Sequence, residues 1–285
     1  MRKNLRLVMT SFNLVLLLML LLLSVPKRDQ SSNNCVISNA VAVIVSYPVL
    51  NFSTYLGGSE SGEHGCGIAI ASDRSYYVMG HTDSSDFPTQ NAYDNTSNGS
   101  RDVFIAKFAA NNSLLWSTYF GGSLQDWSMD IANAADGSCY ITGTTLSDNF
   151  PTLNAYNDTY SGDNRGDVFL VKFAANGSLL WSTYFGGKDW DFGHGIAVAT
   201  DGSCYITGET GSTNFPVQGA YDNTYNGWYF DAFVAKFSNN GSLLWSTYLG
   251  GFDNDGGYDI AITSDGSCFV TGLTYSSDFP TTKDA

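Results

Sequence analysis

The sequence predicts an all-β fold, a β-propeller of four-stranded antiparallel blades, and three observations carry that prediction. Leu114-Leu115-Trp116-Ser117-Thr118-Tyr119-Phe120-Gly121-Gly122 returns almost unchanged at Leu179 to Gly187 and Leu243 to Gly251, with a weaker copy at Leu50 to Gly58. The aromatic position therefore falls at 52, 116, 181 and 245, a repeat of about 64 residues. Within each period two dipeptides that favour tight hairpins, such as Asp136-Gly137 and Asn176-Gly177, separate runs of strand-forming residues. Composition agrees: 30 Gly, 17 Tyr and 18 Phe suit many short strands joined by tight turns.

The amino terminus reads as an export segment. Arg2, Lys3 and Arg6 precede an unbroken apolar run from Leu14 to Leu23, and the wider stretch 7–25 is long enough to cross a bilayer. Residues 1–30 are accordingly expected to form a hydrophobic helix, either a signal peptide or an N-terminal membrane anchor, and residues 31–48 a linker or first strand. Residues 49–285 hold the repeats. In the second period Asp130 to Ala134 and Cys139 to Gly143 are two strands, and Asp167 to Phe173 and Leu179 to Phe185 are two more. The strand after Gly-Gly carries small alanines, as in Gly195-Ile196-Ala197-Val198-Ala199, which places it innermost, where blades crowd. The Trp of the opening stretch is then a packing residue. Lys107, Lys172 and Lys236 recur inside an apolar strand, and we expect their stems to lie on the blade with the amines reaching outward.

Between the second and third strands a long loop repeats Phe-Pro and Ala-Tyr, at Phe87-Pro88 with Ala92-Tyr93, Phe150-Pro151 with Ala155-Tyr156 and Phe215-Pro216 with Ala220-Tyr221. These aromatics are expected to anchor the loop to its own blade. Cys139, Cys204 and Cys268 share one repeat position, too far apart in stacked sheets for disulfides, and are read as buried thiols; a Cys35–Cys66 bond stays open. The chain ends inside the long loop at Phe279 to Ala285. We read it as an incomplete propeller, a fragment with one outer strand, three full blades and half of a fourth. The alternative is a small ring closed by Val41 to Tyr47 and Leu50 to Leu56.

The alternation of Tyr-Phe-Gly-Gly, Asp-Gly-Ser-Cys-Tyr-Ile-Thr-Gly, Asp-Val-Phe-Ile-Ala-Lys-Phe and Asn-Gly-Ser-Leu-Leu-Trp-Ser-Thr resembles the SBBP family of β-propeller repeats across residues 49–285. The resemblance implies a seven-bladed design found largely in prokaryotic exported and surface proteins. It supplies no catalytic residues for these positions.

Charge narrows the partners. Beyond residue 30, 8 basic residues face 26 acidic ones, a net of −18, which repels phosphate backbones and excludes nucleic acid. A carboxylate stands four residues before the innermost strand in every copy, at Glu63, Asp126, Asp191 and Asp255, and Trp127 and Trp190 lie in the same connections. Each acid can serve its own turn, or the set can hold Ca2+ near the axial mouth; the tryptophans can pack between blades or stack on sugar rings. Asn51, Asn95, Asn98, Asn111, Asn157, Asn176 and Asn240 head glycosylation sequons and are equally turn formers. The three histidines show no metal spacing, and Arg165-Gly166-Asp167 is a coincidence of the repeat. The sequence contains no recognised catalytic motif, so no cofactor is assigned beyond the Ca2+ option. The expectation is an exported or cell-surface binding or scaffold module without catalytic activity, meeting a protein or glycan partner on its loop-rich acidic face. The alternative is an extracellular glycan hydrolase or lyase with carboxylates from several blades converging on the axis.

Overall fold

The computed structural model describes residues 40–46, 49–60 and 62–282. The signal or anchor at 1–30 and most of the 31–48 linker lie outside the described residues, as does Cys35. Among the described residues there are sixteen strands and no helix. A hairpin of β1 (Ala40–Ser46) and β2 (Val49–Leu56) comes first. Three four-stranded sheets follow: β3 (His64–Ile70) to β6 (Leu114–Phe120) through β4 (Tyr76–Thr82) and β5 (Asp102–Phe108); β7 (Asp126–Asn133) to β10 (Leu179–Phe185) through β8 (Cys139–Thr145) and β9 (Asp167–Phe173); and β11 (Asp191–Val198) to β14 (Leu243–Leu249) through β12 (Cys204–Thr210) and β13 (Asp231–Phe237). The hairpin of β15 (Asp255–Ile262) and β16 (Cys268–Thr274) is last, and every pairing is antiparallel in sequence order.

The first strands touch one another in succession, β3 with β7, β7 with β11 and β11 with β15, which puts them innermost, as the small alanines require. The sheets thus stack in the manner of propeller blades. Each apolar layer lies between two sheets: Tyr77, Trp116 and Phe120 meet Ile141, Phe169 and Phe173 in one, and Tyr140, Trp181 and Phe185 meet Ile206, Phe233 and Phe237 in the next. Cys139 and Cys204 are fully buried small residues in these layers, as their repeat position implies.

Polar bonds stitch the same layers. Trp116 Nε1 donates to the Ala175 carbonyl (3.1 Å) and Trp181 Nε1 to that of Asn239 (2.9 Å), both in the outer hairpin turn of the next sheet. Tyr140 donates to the Gly202 carbonyl (2.7 Å) and Tyr205 to that of Gly266 (3.0 Å), in the inner hairpin turn. The lysine expectation is corrected here. Lys107 and Lys172 are buried rather than outward-reaching; their amines sit 4.9 and 4.8 Å over the Tyr77 and Tyr140 rings, and Lys107 donates to the Ala175 carbonyl (3.1 Å). A π face and a carbonyl acceptor replace the water each cation gives up.

The long loop does more than anchor to its own blade. Its backbone bridges to the fourth strand, Gln90 to Ser117, Leu153 to Ser182 and Gln218 to Ser246, covering an edge that would otherwise offer free ladder groups. Phe150 stacks on Phe169 of its own sheet (4.9 Å) and meets Phe120 of the preceding one edge-on (5.0 Å); Tyr156 contacts Phe185 and, in the next sheet, Phe237. The loop aromatics therefore lock neighbouring blades together.

Tyr119 fastens the loop. Its hydroxyl accepts from the Phe87 amide (2.7 Å) and donates to the Ser84 carbonyl (2.8 Å), and Tyr184 and Tyr248 repeat both bonds. Tyr184→Phe leaves the Phe150 amide and the Ser147 carbonyl with only their long bond to each other (3.3 Å) and is expected to cost about 1 kcal/mol. A shift of the urea midpoint at unchanged slope measures it; a midpoint within error of wild type would refute the fastening role.

A candidate binding cleft at the inner-strand bulges

Each innermost strand carries a β-bulge at the same place, two or three residues into the strand. The register slips between Gly65 and Gly67, Ser128 and Asp130, Gly193 and Gly195, and Gly257 and Asp259, so the extra residue is Cys66, Met129, His194 or Tyr258. A bulge re-aims a side chain without disturbing the rest of the ladder, and bulges recur beside functional sites. These four residues differ in every copy. So do the residues two positions earlier, His64, Trp127, Phe192 and Gly256, and their cross-strand partners His81, Thr144, Glu209 and Leu273. A scaffold that is otherwise repetitive thus concentrates its chemical differences at one level.

Between the second and third sheets this level opens as a cleft of about 390 Å3 lined by Trp127, Met129, Thr144, Trp190, Phe192 and His194. Trp190, Phe192 and His194 project from one face of β11 and its approach. Their rings stack at 5.4 and 6.3 Å, inclined by only 3° and 7°. His194 is closed off by Tyr258 edge-on (5.5 Å), and its Nε2 lies 3.6 Å from Glu209 Oε1. Trp127 and Met129 form the facing wall. Apart from the two indole N–H groups, Thr144 and His194 bring the polar side-chain atoms to a lining that is otherwise aromatic or aliphatic.

In the first sheet the same level holds His64 and His81, with ring centroids 5.1 Å apart, and Cys66 Sγ 3.5 Å from His81 Nδ1. Burial and the neighbouring Arg101 guanidinium push the His81 pKa down to about 4, so that imidazole is neutral. The three histidines, which show no metal spacing in the sequence, thus all lie at the variable level.

The predicted acids lie elsewhere. Glu63, Asp126, Asp191 and Asp255 are buried within their own connections rather than exposed around a mouth. Each accepts from the amide of the second glycine four or five residues earlier: Gly58 (2.9 Å), Gly122 (2.7 Å), Gly187 (2.6 Å) and Gly251 (2.7 Å). Ser147, Ser212 and Ser276 donate to the last three (3.2, 3.0 and 2.7 Å). Burial, against these hydrogen bonds, raises the pKa of Asp126 and Asp191 to about 7. The carboxylates therefore serve the turns, while Trp127 and Trp190, beside them in sequence, face the cleft. Asp167 of Arg165-Gly166-Asp167 is fully buried and accepts from the Ser161 amide (2.8 Å), so the tripeptide is not displayed. Of the sequon asparagines, Asn111, Asn176 and Asn157 each accept a backbone bond two residues on, as turn formers do.

Residues 180–216, from the outer strand of the second sheet through the inner hairpin of the third, match the family model described as the SBBP β-propeller repeat. The chain carries an SBBP propeller repeat. The matched repeat contains Trp190, Phe192 and His194, half of the cleft lining. Two curated proteins are similar over longer stretches: a regulatory protein, FlaEY, of Caulobacter vibrioides, 31% identical over 209 residues, and an uncharacterized WD repeat-containing protein of Acanthamoeba polyphaga mimivirus, 21% identical over 214 residues. These alignments take in 72% and 62% of this chain but only 20% and 15% of those proteins, so the chain spans a fifth of their length or less.

Of the lining, the sequence singles out Trp127 and Trp190 but not Met129, Thr144, Phe192 and His194, because the repeats there look conservative. The signal was present in the columns that alternate with the repeated Asp and Gly of the inner strand, where Trp-Met, Phe-His and Gly-Tyr replace one another.

Proposed function

We propose that this propeller-repeat protein is a non-catalytic binding module, exported to the cell exterior or surface, that captures protein partners through the cleft between its second and third sheets. The observation that carries the reading is the cleft itself. Four aromatic rings and one methionine from two blades enclose an accessible apolar volume at the level where the repeats diverge. A pocket with so few polar groups suits an aromatic or branched aliphatic anchor residue of a partner, the kind of contact that dominates protein interfaces. The surrounding acidic surface favours a partner with basic residues flanking that anchor. A regulatory protein and a WD repeat protein among the relatives agree with a role in association.

A glycan partner is the second reading, favoured by Trp127 and Trp190 lining one cleft. Sugar hydroxyls need more donors and acceptors than Thr144 and His194 supply. The glycan-hydrolase alternative loses its main residues, since Asp126 and Asp191 are buried on main-chain donors. Only the His194–Glu209 pair offers acid–base chemistry nearby.

Peptide and glycan arrays probed in parallel with the purified protein test the reading. Peptides with an aromatic or branched aliphatic anchor should bind, and Trp127→Ala or Trp190→Ala should weaken them at least about tenfold without lowering Tm, a loss of roughly 1.4 kcal/mol or more. Binding to glycans alone, or peptide binding equal in wild type and both variants, would overturn it.

A further inference from the structure

Each of the three well-formed connections between sheets brings together two buried aspartates, one opening the third strand and one opening the next sheet's inner strand. The pairs are Asp102 with Asp126, Asp167 with Asp191, and Asp231 with Asp255; all six residues are 0–2% exposed. In every pair one oxygen of each carboxylate is satisfied. Asp102 Oδ2 accepts from the Asn98 amide (2.7 Å), Asp167 Oδ2 from Ser161 (2.8 Å) and Asp231 Oδ2 from Asn226 (2.7 Å), while the partners take the Gly-Gly amide described above. The other oxygen, Oδ1, makes no well-formed hydrogen bond in any of the six, although the Ser97, Thr145 and Thr210 hydroxyls lie close enough to Asp102, Asp126 and Asp191 to oppose the effect of burial on their pKa.

The first glycine of Gly-Gly packs directly against both carboxylates of the pair. A Cβ on Gly121 would stand 2.4 Å from Asp102 Oδ1 and 2.6 Å from Asp126 Oδ2; on Gly186, 2.8 and 2.7 Å from Asp167 and Asp191; on Gly250, 2.4 and 2.7 Å from Asp231 and Asp255. Three independent connections reproduce one arrangement: two buried carboxylates packed against the same glycine, Oδ1 of the first aspartate and Oδ2 of the second facing it, and each carboxylate keeping an Oδ1 outside the hydrogen-bond network. Two such carboxylates cannot both stay ionised without a counter-charge.

We propose that each connection binds one hard divalent cation of the Ca2+ class between its two aspartates, making three structural cation sites that clamp successive blades. Calcium takes six to eight oxygen ligands and accepts main-chain carbonyls and water beside carboxylates. The sites are separate from the cleft and do not depend on what the cleft binds.

The competing counter-charge is a proton. Burial, opposed by the hydrogen bonds, raises Asp102 and pushes Asp126 and Asp191 to about 7, Asp167 to about 8 and Asp231 to about 6. The charged and titratable groups facing the pairs are Asp94, Asp189 and Asp222, with Tyr119, Tyr160, Tyr184, Tyr225 and Tyr248. No lysine or arginine is among the charges that shift them. Since the folded pKa values exceed the ordinary carboxylate value, the cation-free protein holds extra protons. That stability is complete below about pH 4 and is lost as pH rises through 6 to 8. A bound cation replaces the protons and should matter most at the alkaline end.

The test is thermal unfolding of chelator-treated protein at pH 5 and pH 8, with and without millimolar CaCl2, together with Tb3+ luminescence excited through the nearby tyrosines. Ca2+ should raise Tm by roughly 5 °C or more at pH 8 and by clearly less at pH 5. Tb3+ should bind in a ratio near three per chain and be displaced by Ca2+, and Asp167→Asn, isosteric and uncharged, should lower the ratio by one. A Tm that falls with pH but ignores Ca2+, or Tb3+ binding unaltered in Asp167→Asn, would overturn the proposal and leave a shared proton as the counter-charge.

Discussion

Trp181→Ala is expected to destabilise the protein by about 3–5 kcal/mol. The indole is 3% exposed and lies between the second and third sheets. It meets Tyr140 edge-on at 5.9 Å and donates to the Asn239 carbonyl. The glycine of the next sheet's turn rests directly on it: a Cβ on Gly241 would come within 2.9 Å of the ring. Nothing nearby can collapse into the volume, because the neighbours belong to two sheets, each fixed by its own ladder. Trp245→Ala supplies the comparison. It occupies the same repeat position but is half-buried, against a hairpin rather than a complete sheet, and should cost clearly less. Denaturant unfolding at constant slope measures both. Equal losses would mean that the indole packs within its own blade, and a loss below about 1 kcal/mol would sink the interblade role.

The fold was legible because it is written in backbone requirements that repeat. Asp-Gly and Asn-Gly must turn: Gly137 and Gly177 have φ of 80° and 87°, and Gly-Gly must pass between two carboxylates. The alanines of the inner strand exist because only small residues fit where sheets meet. Period, strand count per blade and strand order all follow from such positions. The site followed a different logic. A binding residue in a repeat protein is one that the fold does not constrain, so it lies in the columns that differ between copies, and a reading that follows what recurs passes over them. Glu63, Asp126, Asp191 and Asp255 attracted attention by recurring, and they recur because every connection needs a buried acceptor for its glycine amide. Trp127 and Trp190 came into view only as neighbours of those acids. Met129, Phe192 and His194 share a face with Trp127 and Trp190 by simple alternation, and they escape such a reading because nothing at those positions recurs. The buried lysines show the same limit, because a long cationic side chain in an apolar strand does not announce which π face it will cover.

Gly143→Ala should couple the fold to the cleft, with an expected cost of about 3 kcal/mol and loss of cleft binding in the molecules that remain folded. Gly143 pairs with Ser128 across β7 and β8, immediately before the Met129 bulge. A Cβ there would stand 2.0 Å from the Trp127 carbonyl oxygen and 2.9 Å from the Phe169 ring. Neither can yield cheaply: Phe169 is fully buried and stacked on Phe150, and the carbonyl belongs to the innermost strand, wedged between two sheets. Relief therefore comes from pushing Trp127 outward, which widens the wall facing Trp190 and Phe192. Gly137→Ala separates this effect from a general loss of stability. Its Cβ would meet only the Ala175 methyl at 3.3 Å, so its cost is the positive φ, about 1 kcal/mol, at the turn and far from the bulge. Binding of an apolar-anchored peptide at a temperature where both variants are folded is the deciding measurement. Gly137→Ala should bind as wild type does and Gly143→Ala at least about tenfold more weakly. If both bind alike, the cleft wall is not set by the close approach of these two strands, and the bulge alone must position Trp127.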